Sequence, residues 1–188
     1  MKRILLAGAV LLAMQTGFAQ QPHVEFGLKG GVNLANIKVE GNSNTDSRTG
    51  FYAGGLAHIH LTRSFAIQPE VMYSAQGAEN GNTKLKASYV NIPVLAQYMF
   101  GNGFRLQTGP QLGILAGSEI KNGGTEADLD DVFKTTDFSW SFGTSYLFNS
   151  GVGIDARYNL GLSNINKNEN PEWKNRVWQL GLFYQFKH

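Results

Sequence analysis

Apolar and polar residues alternate one by one through eight stretches of this chain, and each stretch separates into two faces. In residues 177–186 one face is Trp178, Leu180, Leu182, Tyr184 and Phe186, and the other is Val177, Gln179, Gly181, Phe183 and Gln185. A repeat of two is the pattern of a β-strand whose faces meet different surroundings. Residues 24–37 set Val24, Phe26, Leu28, Val32 and Leu34 against Glu25, Lys29 and Asn33. Residues 51–61 set Phe51, Ala53, Ala57, Ile59 and Leu61 against Tyr52, His58 and His60, and residues 65–75 set Phe65, Ile67, Val71 and Tyr73 against Gln68, Glu70 and Ser74. The same division recurs in 89–100, 104–116, 137–148 and 152–162. In the last of these, Val152, Ile154, Ala156, Tyr158, Leu160 and Leu162 oppose Asp155, Arg157 and Asn159.

The connections alternate in length. Polar segments at 39–50, 76–87, 117–136 and 163–175 are long, whereas 62–64, 101–103 and 149–151 are short. Short turns at one rim and long loops at the other predict an all-β, eight-stranded antiparallel up-and-down barrel. Its last strand pairs with its first, which removes both sheet edges.

A soluble barrel has the same period with its apolar face inward, so further features must choose between water and lipid. The apolar faces of all eight strands carry no Asp, Glu, Lys or Arg, as a lipid-facing wall requires. The opposite faces are rich in Gly, Ser and Ala, among them Gly27, Gly31, Gly54, Gly109, Ser139 and Ser141, which suits a narrow packed lumen. Aromatics gather at strand ends: Tyr98, Phe100, Phe104, Phe148 and Phe186 near the short turns, Phe51, Tyr73, Phe138 and Trp178 near the long loops. Such rings suit the two membrane interfaces. A transmembrane β-barrel is therefore expected.

Residues 1–19 read as a cleaved secretory signal peptide. Lys2 and Arg3 precede an apolar run at 4–14 too short to span a bilayer, and Gly17 and Ala19 supply small residues before a cut between Ala19 and Gln20. The barrel domain is then 20–188. Of 16 basic and 14 acidic residues the signal takes two basic ones, leaving a neutral chain with no basic patch for nucleic acid. With no cysteine there is neither a lipoprotein anchor nor a disulfide framework.

Pro69, Pro93 and Pro110 fall inside proposed strands, where each removes a ladder donor, so local bulges or distorted pairing are expected there. Several runs resemble the PorT-like outer-membrane β-barrel family common in Bacteroidota. They are Gly27-Leu28-Lys29-Gly30-Gly31-Val32-Asn33, Glu70-Val71-Met72-Tyr73-Ser74-Ala75-Gln76-Gly77, Tyr89-Val90-Asn91-Ile92-Pro93, Gly109-Pro110 and Arg157-Tyr158-Asn159-Leu160-Gly161-Leu162. The resemblance spans essentially the whole mature chain, includes the strand prolines, and implies an outer-membrane location. Trp178, Leu180, Leu182, Tyr184 and Phe186 resemble the C-terminal insertion signal of such barrels. Expected partners are outer-membrane lipid and lipopolysaccharide, periplasmic chaperones and the barrel-assembly machinery.

Glu25, Lys29, Glu70, Arg105, Asp155 and Arg157 share the inward parity. They form either an ion path or a salt-bridge network filling an eight-stranded lumen, which is only wide enough for side chains; the second reading is preferred. His58 and His60 point the same way but fall short of the three or four ligands of a zinc site. The acidic run at 126–131 lacks the spacing of a calcium loop. No histidine lies in the long loops to serve as a base, which disfavours a surface hydrolase. The expected function is therefore non-enzymatic and free of cofactors: a scaffold whose extracellular loops engage a protein or glycan, or alternatively a narrow channel or transport-associated barrel.

Overall fold

The computed structural model describes residues 23–41, 46–80, 83–122, 125–128, 132–168 and 170–186. Among the described residues nine strands are present: β1 (Val24–Val39), β2 (Asp46–His60), β3 (Phe65–Asn80), β4 (Thr83–Met99), β5 (Phe104–Asn122), β6 (Thr125–Asp128), β7 (Thr136–Leu147), β8 (Val152–Gly161) and β9 (Trp173–Gln185). Their order is β4-β3-β2-β1-β9-β8-β7-β5-β6, every pairing is antiparallel, and β4 also pairs with β5. Eight long strands thus close into a barrel, with β6 as a short flap on the end of β5. The closing seam pairs β1 with β9 from Gly27 opposite Gln185 to Val39 opposite Trp173.

The two faces of each strand separate as the alternation requires. Phe26, Leu28, Phe51, Val71, Phe142, Ile154, Leu180 and Leu182 point outward and are exposed, while Asn33, Ser74, Ser141 and Arg157 point inward and are buried. This is the reverse of a soluble barrel. A continuous apolar belt of this extent exceeds what a water-soluble surface carries, and a closed barrel is the only β-structure that satisfies its backbone in lipid. Two rings of aromatics bound the belt. Phe65, Tyr98 and Phe100 pack edge to face and Phe104 lies tilted against Phe100 at the short-turn rim, with Tyr146–Phe148 and Tyr184–Phe186 beside them. Phe51–Tyr73 and Tyr158–Trp178 mark the other rim.

At the short turns the strand ends agree with the sequence to within a residue or two, because Gly101, Gly103 and Gly151 adopt positive φ there and end the ladder. At the long-loop rim the expected ends of β1, β7 and β8 hold to within two residues, whereas those of five other strands fall short. β2 begins at Asp46 rather than 51, β3 and β4 run on to Asn80 and Thr83, β5 continues to Asn122, and β9 begins at Trp173. The polar segment 76–87 is mostly a projecting hairpin, and the segment 117–136 contains β6 folded back on β5. Beyond the bilayer the outward positions are polar as well, Ser47, Thr49, Lys86, Glu119 and Lys174 among them, so the period-two signal fades while the backbone pairing continues.

The three prolines interrupt the ladder without shifting its register. Pairing lapses around Pro69 between β2 and β3, around Pro93 between β3 and β4, and around Pro110 between β4 and β5, then resumes on the same register. The true register shifts lie elsewhere, between Ser47 and Tyr52 and between Ser88 and Tyr89.

Candidate functional site

The inward faces of β1, β3 and β8 bring four charges together at mid-barrel. Lys29 Nζ lies 2.6 Å from Asp155 Oδ1 and 3.7 Å from Glu70 Oε1. Arg157 donates to both oxygens of Glu70 at 2.8 Å each and stands 4.0 Å from Asp155. All four side chains are at most 2% exposed. Two cations and two anions leave the cluster neutral, the condition under which buried charge is tolerable. Gln68 donates to Glu70 at 2.7 Å, and Gln107 donates to Asp155, so further carboxylate lone pairs are filled by amides.

A belt of neutral side chains lies between this cluster and the long-loop rim. Ser141 donates to Asn159 at 2.7 Å, Asn159 to Gln179 at 3.0 Å, Gln179 to Asn33 at 2.9 Å, and Asn33 to Ser74 at 2.9 Å. One chain of hydrogen bonds therefore links β7, β8, β9, β1 and β3. Towards the short turns, Gln97 donates to Gln107 at 2.9 Å and Arg105 to Gln185 at 3.2 Å. Alternation puts these amides on the inward faces without saying which of them meet. The signal for them was their recurrence on the inward parity, where Asn and Gln stand beside the small residues.

The long-loop mouth is covered. Ile37, Ala78, Phe133 and Ile165 form a buried cluster, with Val39, Leu85, Leu115, Val132 and Trp173 packed on it. Phe133 bridges to Asn166, and Lys134 N–H donates to the Ile165 carbonyl at 2.8 Å. Beneath this cap Asp137 accepts from Ser163 Oγ at 2.9 Å and Asn175 Nδ2 at 2.8 Å. Phe133 and Ile165 sit in segments that read as polar loop, and their apolar character was the only clue to a cap.

Of the six inward charges, four meet in the cluster. Arg105 lies apart and makes its hydrogen bond to Gln185, and Glu25 pairs with His23 at 3.1 Å near the short-turn rim. His58 is buried, its Nδ1 3.2 Å from Gln68 Oε1 and its ring edge-on to His60. Among the described residues no three His, Asp or Glu side chains are placed to hold a metal ion. Trp178, Leu180, Leu182 and Tyr184 form the outward face of β9, and Phe186, just past its end, continues the row. Residues 126–128 of the acidic run lie in β6, while 129–131 and the signal segment 1–19 fall outside the described residues.

An apolar outer wall, two aromatic rings and a polar lumen packed with side chains define an integral membrane β-barrel. The chain belongs to the family described as "Outer membrane protein beta-barrel domain", whose model matches residues 18–167, and its location is the outer membrane. No curated protein matches the sequence. Among solved structures it is similar to Neisserial surface protein A, with 15% identity over 87% of this chain and 99% of that one and a TM-score of 0.63. It is also similar to Ail, the attachment invasion locus protein of Yersinia pestis, with 16% identity over 86% and 98% of the two chains and a TM-score of 0.55. At such identity the likeness is one of fold.

Proposed function

We propose that this protein is a non-enzymatic, non-conducting scaffold of the outer membrane whose projecting hairpins and loops hold a protein or glycan outside the cell. The observation that carries this reading is the filled lumen. The Lys29–Glu70–Asp155–Arg157 cluster joins β1, β3 and β8 across the bore, and the Phe133–Ile165 cluster lies over the long-loop mouth. A path for ions would have to break several buried ion pairs, each costly to separate. Short turns face the periplasm in bacterial barrels and long loops face outward, which places the extended β3–β4 and β5–β6 hairpins at the cell surface. The cap ties the 132–134 and 163–168 segments to the barrel, so part of this surface is ordered before a partner arrives and loses less entropy on binding.

The quoted motif runs further favour the PorT-like branch and a Bacteroidota source, with the signal removed after Ala19 and the outward face of β9 read by the barrel-assembly machinery. Planar-bilayer recording tests the central claim. Refolded protein is expected to give no steady conductance steps, and an open-channel current from the wild type would replace this reading with the channel. Binding is tested on intact cells by shortening the β3–β4 hairpin at residues 78–85, which should abolish partner capture while leaving the barrel folded.

A further inference from the structure

The outward faces of β1 and β9 continue past the aromatic ring and change character there. On β9 the outward position beyond Trp178 is Arg176 and the next is Lys174; on β1 Leu34 is followed by Asn36 and then Lys38. The register sets Lys38 directly opposite Lys174 and Asn36 opposite Arg176, while Leu160 of β8 faces Arg176 from the other side. Like charges opposed across a sheet repel. Glu172 answers Lys174 at 2.7 Å, but the side chains of Lys38 and Arg176 make no ion pair or hydrogen bond with any described residue. Between them is a hollow of about 410 Å³ walled by Lys38, Leu160, Leu162, Lys174 and Arg176, with Glu40 and Glu172 also on its wall.

We propose that this hollow binds the phosphate of an outer-leaflet lipid headgroup. Three cations against two carboxylates leave it net positive, on the outside of the wall rather than in the lumen. Trp178 marks the interface, so a position one step beyond it stands at headgroup height. Arg176 supplies planar paired donors suited to a phosphate, and Lys38 a mobile point charge. Leu160 and Leu162, below and beside the cations, meet the first carbons of the acyl chains. A phosphate seated between Lys38 and Lys174 also relieves their mutual repulsion. The proposal rests on the long-loop rim facing outward and is independent of whether the lumen conducts.

The test uses full-length mature protein in nanodiscs of phosphatidylcholine doped with diphosphoryl lipid A or with its dephosphorylated form. Retention of lipid A through detergent extraction is read by native mass spectrometry. Wild type should retain the diphosphoryl form and not the dephosphorylated one, Lys38→Gln and Arg176→Gln should each weaken retention about five-fold, and Lys86→Gln, at a half-buried cation on β4 already paired with Glu119, should leave it unchanged. Should the charge variants not fold, acylation of Lys38 in the wild type provides the readout, slowed in diphosphoryl lipid A discs and fast in pure phosphatidylcholine. Equal retention by all variants, retention of the dephosphorylated form, or equal protection by inorganic pyrophosphate in pure phosphatidylcholine discs would overturn the assignment to a lipid phosphate.

Discussion

Glu70 and Arg157 stand on β3 and β8, four strands apart in either direction round the barrel, and join across the bore through two hydrogen bonds of 2.8 Å. Lys29 projects from β1, midway between them, and pairs with Asp155 at 2.6 Å. The four charges therefore brace opposite walls as well as fill the space between them. Because Lys29–Asp155 and Arg157–Glu70 are each neutral, either pair can be removed whole without leaving net charge inside.

That neutrality separates single from double substitutions. Glu70→Gln or Arg157→Met alone strands one buried charge and is expected to cost about 3–5 kcal/mol. The double change Glu70→Met with Arg157→Met keeps the lumen neutral and should recover most of the loss. Urea unfolding in vesicles, followed by tryptophan fluorescence, checks this. Additive losses in the double variant would mean that the pair is not coupled.

The seam between the first and last strands depends on a close approach. Gly31 stands opposite Gly181; a Cβ built on Gly31 would meet Leu180 O and the Gly181 Cα, and one built on Gly181 would meet the Gly30 carbonyl and the Tyr52 hydroxyl. Gly31→Val should therefore stop β1 and β9 from closing. The measurement is heat-modifiability on a gel, where wild type is expected to migrate faster unboiled and Gly31→Val is expected to lose the fast band. A normal fast band would show that the seam can yield.

These features differ in how far the sequence revealed them. The outward faces of all eight barrel strands were legible, since lipid admits only apolar side chains and imposes an unbroken period on Phe26-Leu28 or Leu180-Leu182. The inward charges were legible as a set by parity, but parity cannot say who meets whom. Glu70 and Arg157 are 87 residues apart in sequence, and Arg105 and Glu25, equally inward, find other partners. The strand extensions beyond the bilayer are not legible because their outward positions no longer face lipid and are polar, such as Ser47, Thr49 and Glu119. Arg48, read as loop, is in β2 and donates to the Gln76 carbonyl.

The cap over the mouth should behave as a unit separate from the barrel. Phe133 is fully buried and its ring lies 5.7 Å from that of Trp173. Phe133→Ala is expected to cost about 3–5 kcal/mol of local packing, yet the barrel ladder does not pass through it. Amide exchange and limited proteolysis should therefore show faster opening at 132–134 and 163–168, with the heat-modified band unchanged. Loss of that band would mean that the cap is part of the barrel's own folding unit.

The outward face of β9 gives a depth-resolved test of the lipid assignment. Its exposed residues run Trp178, Leu180, Leu182 and Tyr184 and are continued by Phe186 just past the strand, with aromatics near both ends and Leu182 59% exposed between them. In lipid, an arginine at the middle of this row must be dragged towards the midplane, at about 2–4 kcal/mol, whereas near an interface it costs about 0–1 kcal/mol. Leu182→Arg should therefore lower the unfolding free energy in vesicles far more than Trp178→Arg, once the loss of the indole ring is controlled by Trp178→Leu. In water the two arginines would be equally solvated. Equal effects at the two positions would therefore mean that this face does not span a bilayer in the orientation that the aromatic rings define.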